Sequence, residues 1–311
     1  MSEILFISHR IPFPPDRGDK IRSHHIVKRL ARMAPLHIAT FADDDMDMAE
    51  EVELATLARS YKLVRRAKPM AIAGVQALAA RQAVSLTAFH DPGLANYVEG
   101  VIAKHAISTI YVFSGQMGQY VPASFKGRVI ADFVDVDSAK FEAYAAKKHP
   151  ALRWIQSREA KFLREDEARL AARADVSLLI STAEAELFAS RLSPQERAMA
   201  DIRVLPNGID SDWFDPAKVE PESRMRAFLY PRLIFTGQMN YAPNIEAALR
   251  AATRVLPLIR QTFPDASLHI VGRKPSPEVI ALHEVNGCNV WGMVEDIRPW
   301  LKAADMALVP L

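Results

Sequence analysis

Four stretches place glycine, positive charge or both directly after an apolar run, a pattern that suits the capture of a phosphorylated ligand. In the first, Ile4-Leu5-Phe6-Ile7-Ser8 gives way to a loop from His9 to Lys20. Pro12, Pro14 and Pro15 stiffen that loop, and Gly18 at its end permits close approach of the backbone to a phosphate. Arg17, Lys20 and Arg22 add positive charge there. The same residues also describe a rigid surface loop ahead of a helix. In the second, Gly237 closes the run Leu233 to Thr236 and precedes a long helical stretch. The unpaired N–H groups and dipole of a helix N-terminus suit a diphosphate, although one glycine before a helix is also simply a turn. The third, Val271-Gly272-Arg273-Lys274-Pro275, offers two cations that could neutralise a departing diphosphate or merely be solvated. In the fourth, Val290 to Asp296, backbone groups around Met293 and Val294 could hydrogen-bond a nucleobase. Asp135-Val136-Asp137 spells an Asp-x-Asp tripeptide of the kind that holds a divalent ion, but such tripeptides are common by chance.

These loops need strands and helices to position them. Ile4 to Ser8 reads as a strand, followed by a helix with Ile26, Val27, Leu30, Ala31 and Ala34 at helical spacing, then a strand Leu36 to Phe41. Such a βαβ opening implies a parallel sheet. Apolar runs at Ile107–Phe113, Val129–Val134 and Val176–Ile180 add buried strands. Trp154 to Arg173 is expected as an outer helix with one solvated face, and Ser181 to Glu184 as a capping box. The acidic run Asp43 to Asp47 reads as a solvated loop, and His24 and His25 as a polar helix face. Trp154, Trp213, Trp291 and Trp300 are scattered, which fits packing.

The turn-rich segment from Arg203 to Asp210, followed by Trp213, Phe214 and Pro216, looks like a linker, after which the alternation restarts. The spacing predicts strands at Leu233–Thr236, Leu268–Val271, Asn289–Trp291 and Met306–Val309. Helices are expected over Asn244–Arg260, Pro277–His283 and Asp296–Ala303, with Asn244 as N-cap of the first. The last strand reads as buried and lacks a covering helix before Leu311, so a C-terminally truncated chain is expected.

Bulk properties narrow the class. With 39 Lys and Arg against 37 Asp and Glu there is no global basic field, so nucleic acid is not expected as a partner. Cys288 is the one cysteine, which excludes an intrachain disulfide and a multi-cysteine zinc site. The run Ile4 to Ile7 is too short for a signal peptide, and Met70 to Ala80 falls short of the roughly 20 residues that span a bilayer, so a cytoplasmic location is expected.

Read in order, six segments resemble the GT-B glycosyltransferases of family four, closest to the sugar transferases of bacterial exopolysaccharide clusters of the PEP-CTERM/EpsH type. The segments are Pro12 to Gly18 with Arg22, Asp132 to Ser138, Pro206 to Asp210, Gly237 to Asn244, Val271 to Arg273, and Val290 to Pro299. The resemblance implies an α/β fold of two Rossmann-like domains facing a cleft, the second incomplete. Residues 1–205 would bind acceptor, 206–219 would link, and 220–311 would bind donor. It implies retaining transfer from a UDP- or GDP-linked sugar to a saccharide or lipid-linked acceptor, with neither metal nor cofactor. Carried over by position, Gly18, Gly237, Gln238, Asn244, Arg273 and Lys274 would meet the donor diphosphate, and Met293 and Val294 the base. Arg17 and Arg22 would line the acceptor-side loop, and Asp135 is the catalytic candidate.

The chain departs from the family pattern in three places. A family histidine near the sugar corresponds to Val134, beside Asp135, and a family Arg and Lys correspond to Gln238 and Asn244. A downstream segment with paired glutamates would begin just after Leu311. In members that work on lipid-linked acceptors a basic, amphipathic region docks on the inner face of the membrane, and Lys62 to Ala80 fits that description or an ordinary surface helix. The rival readings are a sugar-nucleotide 2-epimerase of the same architecture and a non-catalytic nucleotide- or acceptor-binding chain.

Overall fold

Side chains alternate cleanly along the first strand, β1 (Glu3–Ser8): Leu5 and Ile7 enter one apolar cluster, Ile4 and Phe6 another. The strands β2 (Leu36–Ala42) and β4 (Ile107–Phe113) repeat the division, with Ala39, Phe41, Ile110 and Val112 on one side and Ile38, Tyr111 and Phe113 on the other. A sheet with a core on both faces must be covered by helices on both faces, which parallel crossovers supply.

The computed structural model describes residues 2–146 and 150–310 and divides into two compact units, 1–208 and 209–311. The first holds a parallel sheet in the order β3-β2-β1-β4-β5-β6-β7, completed by β3 (Ser60–Arg65), β5 (Arg128–Val134), β6 (Val176–Leu179) and β7 (Ile202–Val204). Arg203 and Val204, expected in a linker, belong to that edge strand. The helices of this unit are α1 (Gly18–Ala31), α2 (Asp45–Ala49), α3 (Glu51–Leu57), α4 (Met70–Ala80), α5 (Val84–Ala88), α6 (Pro92–Lys104), α7 (Asp137–Ala146), α8 (Pro150–Arg173), α9 (Thr182–Arg191) and α10 (Pro194–Met199). Among the described residues no helix is long and apolar enough to cross a membrane.

The long helix α8 is less solvated than its charge suggests. Buried Glu159 accepts from the backbone N–H groups of Val84 and Ser85, and buried Glu167 from the N–H and hydroxyl of Ser138, so each carboxylate holds the start of a neighbouring helix. Burial pushes Glu167 up to about 7 against the pull of its Ser138 bonds. The capping box expected at Ser181 is half made, because Glu184 turns away to accept from Val136 N. The complete box is at Ser193 and Glu196.

The second unit holds a parallel sheet in the order β10-β9-β8-β11, from β8 (Arg232–Thr236), β9 (Ser267–Val271), β10 (Cys288–Gly292) and β11 (Met306–Ala307). Around it lie α11 (Ser223–Arg226), α12 (Ala242–Arg250), α13 (Leu256–Arg260), α14 (Pro277–Ile280) and α15 (Arg298–Ala303). Between α12 and α13 the helix widens into a π turn over Ala251–Val255. Pro257 has no N–H to return to the preceding turn, which accounts for the local change of hydrogen bonding. The last strand is exposed at Met306 and Ala307, as is Val309 beyond it, where a buried strand over Met306–Val309 is expected, and Leu311 lies outside the described residues.

Candidate functional site

In a parallel sheet the carboxyl ends of the strands, where the order reverses, present loops and helix N-termini to a ligand. In the first unit the reversal falls between β1 and β4. The proline loop after β1 is tied down from behind: Lys20 Nζ donates to Phe13 O at 2.9 Å and His24 Nδ1 lies 3.3 Å from Pro12 O. His24 is therefore buried against Phe13, not on a polar face, and burial lowers its pKa to about 4.

The cations of this loop do not face solvent. Lys20 pairs with Asp47 at 2.5 Å, both buried, while Arg10 bridges Asp19 and Asp43, and Arg66 Nε donates to Asp43 at 2.9 Å. Within the acidic run Asp43, just before α2, and Asp47, inside it, are thus counter-charges and not part of a solvated loop, while Asp45 is exposed. Arg17 Nε donates to Asp19 at 3.0 Å. Arg22, assigned to an acceptor-side loop, is buried and bidentate on Asp132, at 3.1 Å for both bonds, and also donates to Leu205 O and Asn207 Oδ1. Its role is to clamp α1 to β5 and to the segment after β7. Gly18 begins α1, and a Cβ there would meet nothing within 4 Å, so packing does not require glycine. Asp19 in the same first turn already complements the helix dipole.

His9, directly after β1, received no role from its sequence context. Its ring stacks on Phe113 at 5.9 Å and is edge-on to Phe89, while Nε2 lies 3.2 Å from Asp19 Oδ2. Arg10 Nη1 lies 3.1 Å from the same Nε2; in the tautomer that donates Nε2–H to Asp19, Nδ1 keeps its lone pair, buried and without a hydrogen-bond partner. Burial lowers the His9 pKa despite Asp19, which favours the neutral imidazole. Its position after the first strand was the available signal.

At the ends of β4 and β5 the backbone is strained: Ser114 has φ +78° and Val134 φ +68°. For a β-branched residue this conformation is costly and persists only where its surroundings enforce it. Val134 is held by its N–H bond to Asp132 Oδ1 and by Ile180 N on its carbonyl. The turn presents Asp135, whose carboxylate is joined to Asp137 through Lys140 Nζ at 2.7 and 3.2 Å. The cation partner of both carboxylates is thus an amine of the chain itself. Burial of Lys140 is outweighed by the two aspartates, which raise its pKa.

In the second unit the loops after β8 and β9 are laced together. Gly237 N donates to Val271 O, Met239 N to Arg273 O, Ser276 N to Met239 O and Gly272 N to Gly292 O. The Gly237 amide, expected to face a phosphate, is therefore engaged within the sheet. Gly272 is where glycine is indispensable: a Cβ would lie 1.8 Å from Gly237 O. Asn244 is not the N-cap of α12 but sits in its first turn, and its Nδ2 donates to Gln238 O at 3.0 Å. Gln238 Nε2 in turn donates to Asn240 Oδ1. The N-terminus of α12 has no side-chain cap and no acidic residue in its first turn, which leaves its N–H groups to a ligand or water. Lys274 is exposed with φ +52°, and half-buried Arg273 precedes it. Met293 is exposed after β10, whereas the Val294 side chain packs against the cluster of Met225, Ile234 and Trp300.

His269 on β9 underpins this loop set. Trp291 Nε1 donates to its Nδ1 at 3.0 Å, which fixes the proton on Nε2 toward Ser267 Oγ at 2.9 Å. Burial lowers its pKa to about 4. Arg298 lies 3.5 Å above the Trp213 ring and Arg224 covers Trp291 and Trp300, so three of the four tryptophans serve packing, while Trp154 is exposed.

Residues 230–311 match the family described as "Glycosyl transferases group 1". No curated protein matches the chain in sequence. Among solved structures, the chain is similar to an α,α-trehalose-phosphate synthase (UDP-forming) from Burkholderia xenovorans in complex with glucose-6-phosphate, with TM-score 0.60 and 10% identity over 98% of this chain and 78% of that one. It is similar to WaaG, a glycosyltransferase involved in lipopolysaccharide biosynthesis, with TM-score 0.59 and 15% identity over 98% and 74%. It is also similar to a putative UDP-N-acetylglucosamine 2-epimerase from Listeria monocytogenes, with TM-score 0.52 and 10% identity over 99% and 74%. At such identities the likeness is one of fold: α/β with parallel sheets, as in the GT-B glycosyltransferases.

Proposed function

We propose that the chain is a retaining hexosyltransferase that takes a UDP- or GDP-linked sugar on the loops of the second unit and passes the sugar to a saccharide or lipid-linked acceptor at those of the first. The observation that carries this reading is the coincidence of the family match over 230–311 with an uncapped helix N-terminus flanked by Arg273 and Lys274. Amides preorganised at a helix start, with cations beside them, stabilise the charge that develops on a departing diphosphate. Gln238 and Asn244 hold the loop in shape and so support the phosphate end indirectly. Met293 would cover the base. In the first unit Asp135 and His9 are the groups available to handle an acceptor hydroxyl, His9 through its bare Nδ1.

A cell-surface glycan such as an exopolysaccharide is the product class that fits a lipid-linked acceptor. Helix α4 supports that assignment, since Met70, Ile72, Val75 and Leu78 are exposed and Arg65, Lys68 and Arg81 flank them in sequence. An apolar face with basic neighbours suits an anionic membrane surface on the cytoplasmic side. A second reading, the 2-epimerase, is favoured by the fold likeness to such an enzyme. Titration calorimetry with UDP and GDP, followed by assay of nucleoside diphosphate release from UDP- and GDP-sugars with and without lipid extract, separates the two. Release that requires acceptor supports transfer. Acceptor-independent conversion of the donor supports the epimerase, and absence of both nucleotide binding and release refutes the proposal.

A further inference from the structure

At the amino-terminal edge of the first sheet, opposite the loops above, three side chains from distant parts of the chain converge. Glu3 opens β1, His37 stands second in β2, and His105 ends α6 just before β4. The sheet brings them together, because β1 pairs with both β2 and β4. His37 Nε2 lies 2.6 Å and His105 Nδ1 3.4 Å from the same oxygen, Glu3 Oε2, and all three ligand atoms lie within 4.8 Å of one another. We propose that Glu3, His37 and His105 bind a divalent transition metal, zinc by the chemistry of the donors, which pins the edges of β1, β2 and β4 together.

The two separations to Glu3 Oε2 can be compared with those of a metal site, while the two imidazole nitrogens lie within 4.8 Å of each other. Around a tetrahedral zinc with bonds of about 2.0–2.1 Å, ligand atoms stand roughly 3.3 Å apart. The 3.4 Å pair already meets that spacing, and the 2.6 Å pair needs to open by about 0.7 Å to reach it. Two imidazoles and one carboxylate make a His-His-Glu set, which leaves a fourth position for water, and the partly exposed His105 marks the side open to solvent. Arg59 Nη1 donates to the other oxygen, Oε1, at 2.7 Å, so the carboxylate is set up to ligate through Oε2 alone.

The surroundings of His37 are those of a metal ligand. Its Nδ1 is 2.7 Å from Ser60 Oγ, which is itself 2.7 Å from Tyr97 OH. A hydroxyl both donates and accepts, so Ser60 serves either tautomer: it donates to Nδ1 when Nε2–H points at Glu3, and accepts from Nδ1–H when Nε2 ligates. His37 is fully buried and cannot swing away.

The test uses the full chain, stripped with a chelator and dialysed, then titrated with Co²⁺ as a visible-absorption probe and with Zn²⁺ in competition. One equivalent of Co²⁺ with tetrahedral d–d bands is expected, displaced by Zn²⁺. At about a hundredfold excess of free Zn²⁺ over the Kd, the melting temperature of the first unit should rise by about 5–10 °C. His105→Ala, at a partly exposed position, should fold as judged by circular dichroism yet lose the bands and the shift. Ser60→Ala should keep the stoichiometry and weaken binding about 10- to 100-fold, an effect that a merely structural hydroxyl would not have. Failure of the wild-type chain to take up a saturable equivalent would overturn the proposal. Equal binding by His105→Ala and Glu3→Gln would do the same.

Discussion

Replacing Gly272 by alanine separates the loops of the second unit without touching a charge. The new Cβ would stand 1.8 Å from Gly237 O, 2.9 Å from its carbonyl carbon and 3.2 Å from the Met239 methyl. The nearest obstacle is backbone, so no rotamer change relieves it, and ordinary contact requires the two loops to part by about 1.6 Å. Both are anchored, through Gly237 N to Val271 O at 3.3 Å, Met239 N to Arg273 O at 3.0 Å and Gly272 N to Gly292 O at 2.8 Å, and parting them stretches those bonds. Overpacking of this kind costs about 1–3 kcal/mol of stability. A displacement of an ångström at a group that positions substrate costs about a hundredfold in rate. Gly272→Ala is therefore expected to remain folded, to melt lower, and to lose about two orders of magnitude in sugar transfer, with weaker nucleotide binding by calorimetry. Gly208→Ala is the control, since a Cβ there meets nothing within 4 Å. A folded Gly272→Ala protein with unchanged nucleotide affinity and turnover would refute the assignment of the donor to these loops.

Three further outcomes are expected. Gly18→Ala, where a Cβ meets nothing in the protein, should leave the melting temperature unchanged or slightly higher, so any loss of turnover would report a ligand against the start of α1. Asp132→Ala strands a buried guanidinium and should destabilise the first unit by about 3–5 kcal/mol in urea unfolding, whereas a loss under 1 kcal/mol would show that Arg22 finds water. His24 and His269, each with a pKa near 4, are neutral in the fold, and the unfolded chain binds their protons first. Their contribution is intact above about pH 6.5 and falls as pH drops toward 4, by up to about 3 kcal/mol each. The Trp291 indole N–H resonance should move with a midpoint near pH 4 and stay still in His269→Gln.

The central strands could be read from the chain, because β1, β2, β4 and β5 are short, mostly apolar and β-branched or aromatic stretches. By contrast β3, with the sequence SYKLVR at the sheet edge, carries charge on a half-exposed surface and resembles the start of a basic amphipathic segment. The π turn was hidden in a helical pattern that Pro257 alone disturbs. The positions of the loops were evident from strand ends, but not what their side chains do. Arg22 and Asp132 are 110 residues apart, and only the folded sheet shows that the guanidinium is buried and not waiting for an anion. Glu159 and Glu167 sit in a helix so charged that it reads as solvated, yet each carboxylate starts another helix. His9 escaped notice because a single histidine has no spacing to recognise, and only its place directly after the first strand could have marked it.

The pairing of charges around the β1 and β5 loops bears on how a partner arrives. Arg10 and Arg66 with Asp43, Arg17 with Asp19, Lys20 with Asp47, Arg22 with Asp132 and Lys140 with Asp135 and Asp137 are all matched at contact distance. Opposite charges so close cancel within a few ångströms, and what remains is screened over about 8–10 Å at ordinary ionic strength. This end of the first unit therefore casts little field into solution and gives an incoming anion no long-range steering. Capture there should depend weakly on added salt, with selection made at contact by directional hydrogen bonds.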